Sequence, residues 1–342
     1  MEQTIEIRSG GGNLSRVMVG DVLDRLPELI GDRRTIVITD SNVHRMHRAV
    51  IDRYEHIVTG LGEANKNMRA VERIYSELLA MNADRGCFIL GVGGGIVSDL
   101  AGFAASTYMR GLPFGFVATT LLAQVDASVG GKNGVNVEGY KNMAGTFNQP
   151  EFVLCDTGLL RTLPDREFAA GMAEVVKAAV IADPGLFSLL ESHTLTQIRE
   201  DATLLARIVS AAVKVKADIV GRDEKERGER RKLNLGHTLA HAIEKSDPSV
   251  LHGEAVAMGL AAVSRFAARC GELDEASAVR IESVLRSFGL PTEPPAAPKR
   301  LLSAMRHDKK RDGNIIYYPI PTAIGECRML ELDVERLDTL LE

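Results

Sequence analysis

The apolar run Cys87-Phe88-Ile89-Leu90 empties into Gly91-Val92-Gly93-Gly94-Gly95, four glycines in five residues. Such a run, followed by Ile96-Val97-Ser98-Asp99, reads as strand, tight turn and helix. Backbone amides at that helix N-terminus would face an anion such as a pyrophosphate. The spacing is not the Gly-x-Gly-x-x-Gly fingerprint, because Ile96 stands where the last glycine belongs. The competing reading is a plain turn with close helix packing.

The same strand-then-helix grammar recurs through the first half. Residues 35–40, 114–120 and 152–156 are further buried-strand runs, and 69–81 and 96–108 carry helical patterns between them. Alternation of this kind predicts an α/β nucleotide-binding domain over 1–160, with a mostly parallel sheet and helices on both faces. Ligands in such sheets bind beyond the carboxyl ends of the strands, where the Asp40, Gly91 and Thr119 segments sit. After residue 160 the Val/Ile runs become scarce. Helical patterns over 166–181, 204–220, 238–245, 255–270 and 273–288 predict a mostly α-helical domain over 161–342. Residues 291–298 read as an exposed Pro-rich loop, and 315–319 as a short strand or hairpin.

With 342 residues, 45% hydrophobic and 25% charged, the chain is expected to be a soluble globular protein of two domains. A formal net charge of −5 argues against a broad nucleic-acid surface. Cys87, Cys155, Cys270 and Cys327 show no paired spacing, so reduced thiols are expected. The N-terminus does not read as a signal peptide, and no apolar stretch is long enough to span a bilayer. The expectation is a cytoplasmic protein without nucleic-acid or membrane partners.

Four constellations carry chemistry. The glycine run is the first. The second is Gly130-Gly131-Lys132 with Lys141-Asn142, ammonium groups beside a glycine-rich backbone that suit a phosphate or carboxylate. The third is Glu174, a charge within an apolar small-residue helix, with Lys177 one turn away on the same face; burial there is costly unless the carboxylate is paired or coordinating. The fourth is His237, His241 and His252, beside Asn234 and Glu254. His237 and His241 would share a helix face. Two imidazoles and one carboxylate leave a tetrahedral metal an open position. Spacing does not choose which two histidines bind. Charges of both signs over 214–232 read mostly as a solvated face, with two or three free to turn toward an anionic substrate.

The ordered blocks Gly93-Gly94-Gly95 with Asp99, Tyr108-Met109-Arg110-Gly111, the segment 119–126, Gly130-Gly131-Lys132, Lys141-Asn142, Ala173-Glu174 with Lys177, Asn234-Leu235-Gly236-His237-Thr238 and His252-Gly253-Glu254 resemble the 3-dehydroquinate synthase family. The resemblance runs from about Asp40 to Gly325. It implies NAD and a divalent metal, zinc or cobalt, with Glu174, His237 and His252 as ligands. His241 would then face the substrate phosphate. It implies cofactor contacts from Asp40, Asn42, Glu63, Lys66, Gly93, Gly94, Gly95, Asp99, Thr119, Thr120, Asp126, Lys132, Lys141 and Thr162. Substrate contacts would come from Arg110, Lys132, Lys141, Asn142, Lys216, Arg230, Asn234, His241 and Lys309 or Lys310. A catalytic role falls to Lys177, His241, Asp126, Lys132, Lys216, Arg230 and Asn234. Arg110 would reach a neighbouring subunit's phosphate, which implies a homodimer. The implied reaction belongs to the shikimate pathway, toward chorismate and the aromatic amino acids. It converts 3-deoxy-D-arabino-heptulosonate 7-phosphate to 3-dehydroquinate and phosphate, by transient NAD oxidation, phosphate elimination, re-reduction and intramolecular aldol closure.

Some positions depart from the family pattern. Asn133 stands for a common Thr, Val137-Glu138-Gly139-Tyr140 for His-Pro-Leu-Gly, and Ala118 for Pro. These bear on substrate identity, because sister sugar phosphate cyclases make amino-dehydroquinate, 2-epi-5-epi-valiolone or 2-deoxy-scyllo-inosose. A glycerol dehydrogenase-like alcohol dehydrogenase is the more distant rival. It leaves the Gly-Gly-Lys and Lys-Asn clamps without a purpose.

Overall fold

The computed structural model describes residues 2–8, 14–295, 311–312 and 315–333. Lys309 and Lys310 lie outside the described residues. The chain divides into two compact units, Met1–Pro164 and Asp165–Glu342.

The first unit is built on strands β1 (Gln3–Arg8), β2 (Leu14–Gly20), β3 (Thr35–Asp40), β4 (Glu55–Thr59), β5 (Phe88–Gly93), β6 (Phe114–Ala118), β7 (Lys132–Val137), β8 (Tyr140–Phe147) and β9 (Phe152–Asp156). Seven form one sheet in the order β1-β2-β9-β6-β5-β3-β4. Every pairing in it is parallel except β1 with β2. Helices α1 (Leu26–Ile30), α2 (Ser41–Met46), α3 (Arg48–Ile51), α4 (Met68–Ala80) and α5 (Gly95–Thr107) connect or follow the strands. Both faces are covered, which is why β5, β6 and β9 are buried along their whole length. On one face Val37, Phe88, Leu90, Phe152 and Leu154 pack with Leu26, Ile30 and Ile51. On the other, α5 presses so close that a Cβ on Gly91 would lie 3.0 Å from the Ala101 side chain.

The chain leaves β3 toward β4 on one side and leaves β5 toward β6 on the other. The carboxyl ends of β3 and β5 therefore flank a topological switch point, the usual ligand crevice of open parallel sheets. Asp40 and Gly93 end those two strands. The Gly-Gly-Lys segment, read from sequence as flexible, instead enters an antiparallel hairpin of β7 and β8.

The second unit contains α6 (Asp165–Ala182), α7 (Pro184–Glu191), α8 (Leu195–Glu200), α9 (Ala202–Arg222), α10 (His237–Ser246), α11 (His252–Arg269) and α12 (Glu275–Ser287). A small sheet follows, of β10 (Arg311–Asp312), β11 (Ile315–Ala323) and β12 (Glu326–Asp333). Helix α6 is the hub, packed by α7, α9, α11 and α12. It is buried from Ala170 to Ile181, so its two charged residues there, Glu174 and Lys177, are buried with it. No described helix is long and apolar enough to cross a membrane. Cys87, Cys155 and Cys327 are buried free thiols, and burial pushes Cys327 up to about 12.

Candidate functional site

In the second unit, His237 and His252 are the first residues of α10 and α11. Two close backbone contacts aim them at α6. A Cβ on Gly253 would lie 1.8 Å from the Ala170 carbonyl oxygen, so the start of α11 rests directly on α6. A Cβ on Gly259 would lie 2.0 Å from the Gly236 carbonyl oxygen, so α11 also rests against the entry to α10. Glu174 is one turn beyond Ala170 and shares its face.

Glu174 Oε1 lies 3.5 Å from His237 Nε2 and 3.3 Å from His252 Nε2. Ligand atoms around a tetrahedral zinc, with bonds of about 2.1 Å, are about 3.4 Å apart. The three ligating atoms all fall within 4.8 Å of one another. Glu174 is 2% exposed, and its Oε1 faces the two imidazoles while Oε2 faces Lys177. A buried carboxylate so placed fits a metal ligand. The Lys177 ammonium pairs with Oε2 and balances part of its charge.

The imidazoles are themselves oriented. His237 Nδ1 sits 3.2 Å from the Leu235 carbonyl oxygen and can only donate to it, which leaves Nε2 as the ligating atom. His252 Nδ1 sits 3.2 Å from Glu244 Oε1, with the same consequence. Burial alone would lower the His252 pKa, but the Glu174 and Glu244 carboxylates on its two sides overcome this and hold it at about 10. Two carboxylates around one imidazole make a place that attracts a cation. Glu244→Gln should keep the fold and weaken zinc binding about 10- to 100-fold, measured by competition with a chelator. An unchanged affinity would remove Glu244 from the site.

Sequence reasoning missed Glu244. The signal was its position seven residues after His237, on the same face of α10. Glu254, which the sequence sets beside the histidines, is a capping residue instead. Its carboxylate accepts from the Leu251 amide at 2.9 Å and forms a bidentate pair with Arg166. His241 lies edge-on to His237, with ring centroids 5.7 Å apart. Lys216 is buried on α9, which packs against α6. Arg230 is 2% exposed in the turn Glu229–Asn234, and its guanidinium donates to the Glu224 carbonyl oxygen. Asn234 donates to Glu226 at 2.6 Å.

In the first unit, a hydrogen-bonded network gathers several of the expected residues. Lys66 is buried, pairs with Asp99, and donates to Asn142 Oδ1 at 2.7 Å. Burial holds the Asp99 carboxyl above its ordinary range, with Lys66 opposing. Asp99 accepts from the Gly134 amide at 3.1 Å. Asn136 accepts from the Asn142 amide and donates to Glu63 at 2.8 Å. The network thus ties the turn Glu63–Asn65, α5 and the β7–β8 hairpin together. Gly94 and Gly95 begin α5, whose N-terminus no side chain caps. Thr119 Oγ1 is buried without a hydrogen-bond partner among the described residues, a donor that suits a bound ligand. Thr120 Oγ1 accepts from the Ala123 amide, and Asp126 lies in the π-helical turn Ala123–Ala127.

Other expected residues make contacts outside that network. Asp40 caps α2, accepting from the Asn42 and Val43 amides at 2.9 Å each. Asn42 accepts from Arg45, and Thr162 Oγ1 donates to the Leu159 carbonyl oxygen. Lys132 and Lys141 are exposed on β7 and β8. Arg110 is exposed with a φ of 70°, following Met109 at 49°. Two non-glycine residues in the left-handed region form a strained corner.

An open parallel α/β unit followed by a helical unit is the fold of solved sugar phosphate cyclases. The chain is similar to a 2-epi-5-epi-valiolone synthase from Streptomyces hygroscopicus subsp. jinggangensis 5008, solved with NAD+ and Zn2+ bound. Their identity is 28%, the TM-score 0.86, and the match covers 96% of this chain and 95% of that one. More narrowly, the chain belongs to the 3-dehydroquinate synthase family. Family models for the N-terminal and C-terminal parts of 3-dehydroquinate synthase match residues 56–170 and 171–311. A 3-dehydroquinate synthase of Halorhodospira halophila is 46% identical over 286 residues, 82% of this chain and 81% of its own. One from Dehalococcoides mccartyi is 41% identical over 344 residues, 95% of this chain and 96% of its own.

Proposed function

We propose that the chain is a 3-dehydroquinate synthase, a carbon–oxygen lyase that turns 3-deoxy-D-arabino-heptulosonate 7-phosphate into 3-dehydroquinate and phosphate. The observation that carries this is the convergence of Glu174, His237 and His252 at zinc-ligand spacing, with buried Lys177 beside them, in a chain of this family. NAD and a divalent metal, when bound, supply a reversible hydride acceptor and a Lewis acid for a secondary hydroxyl.

The protein's own groups bind and orient. Glu174, His237 and His252 would hold the metal, with the Leu235 carbonyl and Glu244 fixing the two tautomers. Lys177 keeps an ammonium beside that carboxylate, where it would meet charge developing on substrate oxygen. The uncapped start of α5 at Gly94 and Gly95 would bind the pyrophosphate of NAD through backbone amides. The Lys66–Asp99–Asn142 network and Thr119 would seat the rest of the cofactor, with Asp40 at the end of β3. Lys132, Lys216, Arg230 and His241 would offset the charge of the substrate's phosphate and carboxylate, and Asn142 and Asn234 would donate hydrogen bonds to them. The same reading carries a cytoplasmic homodimer, completed by Arg110 across the subunit boundary.

The test is to incubate the protein with the seven-carbon phosphate, trace NAD and zinc or cobalt, and follow release of inorganic phosphate. Sedoheptulose 7-phosphate and glucose 6-phosphate run in parallel. Phosphate released from either of those, and not from the heptulosonate, would move the chain to a sister cyclase. Lys132→Ala should raise the substrate KM about 10- to 100-fold, the loss of one charge-assisted contact, with NAD affinity nearly unchanged. If NAD binding collapses and the substrate KM holds, Lys132 serves the cofactor instead.

A further inference from the structure

A second cluster of metal-ligating side chains lies in the first unit, outside everything the reaction uses. His44 is on α2, Asp52 directly follows α3, and His56 is on β4, the edge strand of the sheet. Their ligating atoms all lie within 4.8 Å of one another. His44 Nε2 is 2.9 Å from Asp52 Oδ1, and the two imidazole centroids are 4.8 Å apart, tilted by 36°.

We propose that His44, Asp52 and His56 form a second metal site, which takes one zinc-class divalent ion. Two details support it. His56 Nδ1 is 3.1 Å from the Tyr54 carbonyl oxygen and donates to it, so Nε2 carries the free lone pair, as in a metal-bound histidine. Arg48 approaches Oδ2, at 3.7 Å, while Oδ1 faces His44 Nε2, where a cation would take the place of the proton between them.

Two imidazoles and one carboxylate suit zinc, copper or nickel, and not magnesium or calcium, which take oxygen ligands. The imidazoles are half-buried and the carboxylate exposed, so the site is open to solvent and to a fourth, water ligand. The ligands come from three consecutive elements, and an ion there would pin α2 and the turn after α3 to the sheet edge.

Zinc bound by the metal-depleted, full-length protein at equilibrium dialysis tests this. The expected result is two equivalents for the native sequence and one for His56→Ala, with affinity at the second site weakened at least about tenfold. Adding His252→Ala to His56→Ala should then remove the remaining equivalent. Asp52→Asn is the companion variant, should His56→Ala not fold, and it too should bind one. His193→Ala, distant from both clusters in the sequence, should keep two. A single equivalent in the native protein would reduce the cluster to a surface ion pair beside a second imidazole, and two in both His56→Ala and Asp52→Asn would place the extra ion elsewhere. Either result overturns the proposal.

Discussion

His252→Ala should lose zinc and turnover together while unfolding as cooperatively as the native protein. The side chain is only half-buried, so its removal leaves little cavity. Glu174 keeps Lys177 against Oε2 and His237 at 3.5 Å, so its buried charge is not stranded. What disappears is one of three metal ligands, the imidazole that Glu244 orients. A bound Lewis acid supplies several kcal/mol of transition-state stabilisation, so kcat/KM should fall by about three orders of magnitude or more. Metal content and phosphate release, measured on the same sample, check this. Full turnover by a metal-free variant contradicts the ligand assignment.

Gly253→Ala should be nearly as damaging, from a residue that touches no ligand. The new methyl would sit 1.8 Å from the Ala170 carbonyl oxygen and 2.4 Å from its carbon. Both are helix backbone, which cannot swing aside. Helix α11 must therefore lift from α6 at the turn that brings His252 to Glu174. Overpacking of this kind costs about 3 kcal/mol. Zinc affinity should fall with thermal stability, since the same displacement separates the ligands. Gly221→Ala gives the contrast. A Cβ there meets nothing within 4 Å in helix α9, so the change should stabilise by about 0.5–1 kcal/mol. Equal effects at the two glycines would show that close helix approach does not build the site.

Much of this architecture is legible in the sequence, for identifiable reasons. Thr35–Asp40 and Phe152–Asp156 coincide with the expected runs because strands covered on both faces carry an unbroken apolar stretch. The long helices are likewise legible from periodicity, to within two or three residues at most ends. Strands β1, β2 and β4 are not, because they alternate polar and apolar residues at or near the sheet edge. The β7–β8 hairpin is hidden by its own composition. Lys132-Asn133-Gly134 reads as loop, yet Gly134 pairs with Gly145 across the hairpin.

The site divides in the same way. Glu174 is conspicuous as a charge in an apolar helix, and His237 and His252 as a rare residue repeated. Glu244 is inconspicuous because its partner lies on the next helix, and that contact follows from packing rather than spacing. Glu254 is its mirror image, adjacent to His252 in the chain and turned away to Arg166. Asp40 is legible as a strand-end residue, but its capping of α2 emerges only from the backbone geometry.

The central claim is that one cation binds between a carboxylate of α6 and the first residues of α10 and α11. Anomalous diffraction at the zinc edge, on crystals of the full-length protein grown with zinc and NAD, tests it most directly. The expected result is a peak about 2.0–2.2 Å from Glu174 Oε1, His237 Nε2 and His252 Nε2. A catalytically active crystal with no zinc among those three atoms would contradict it.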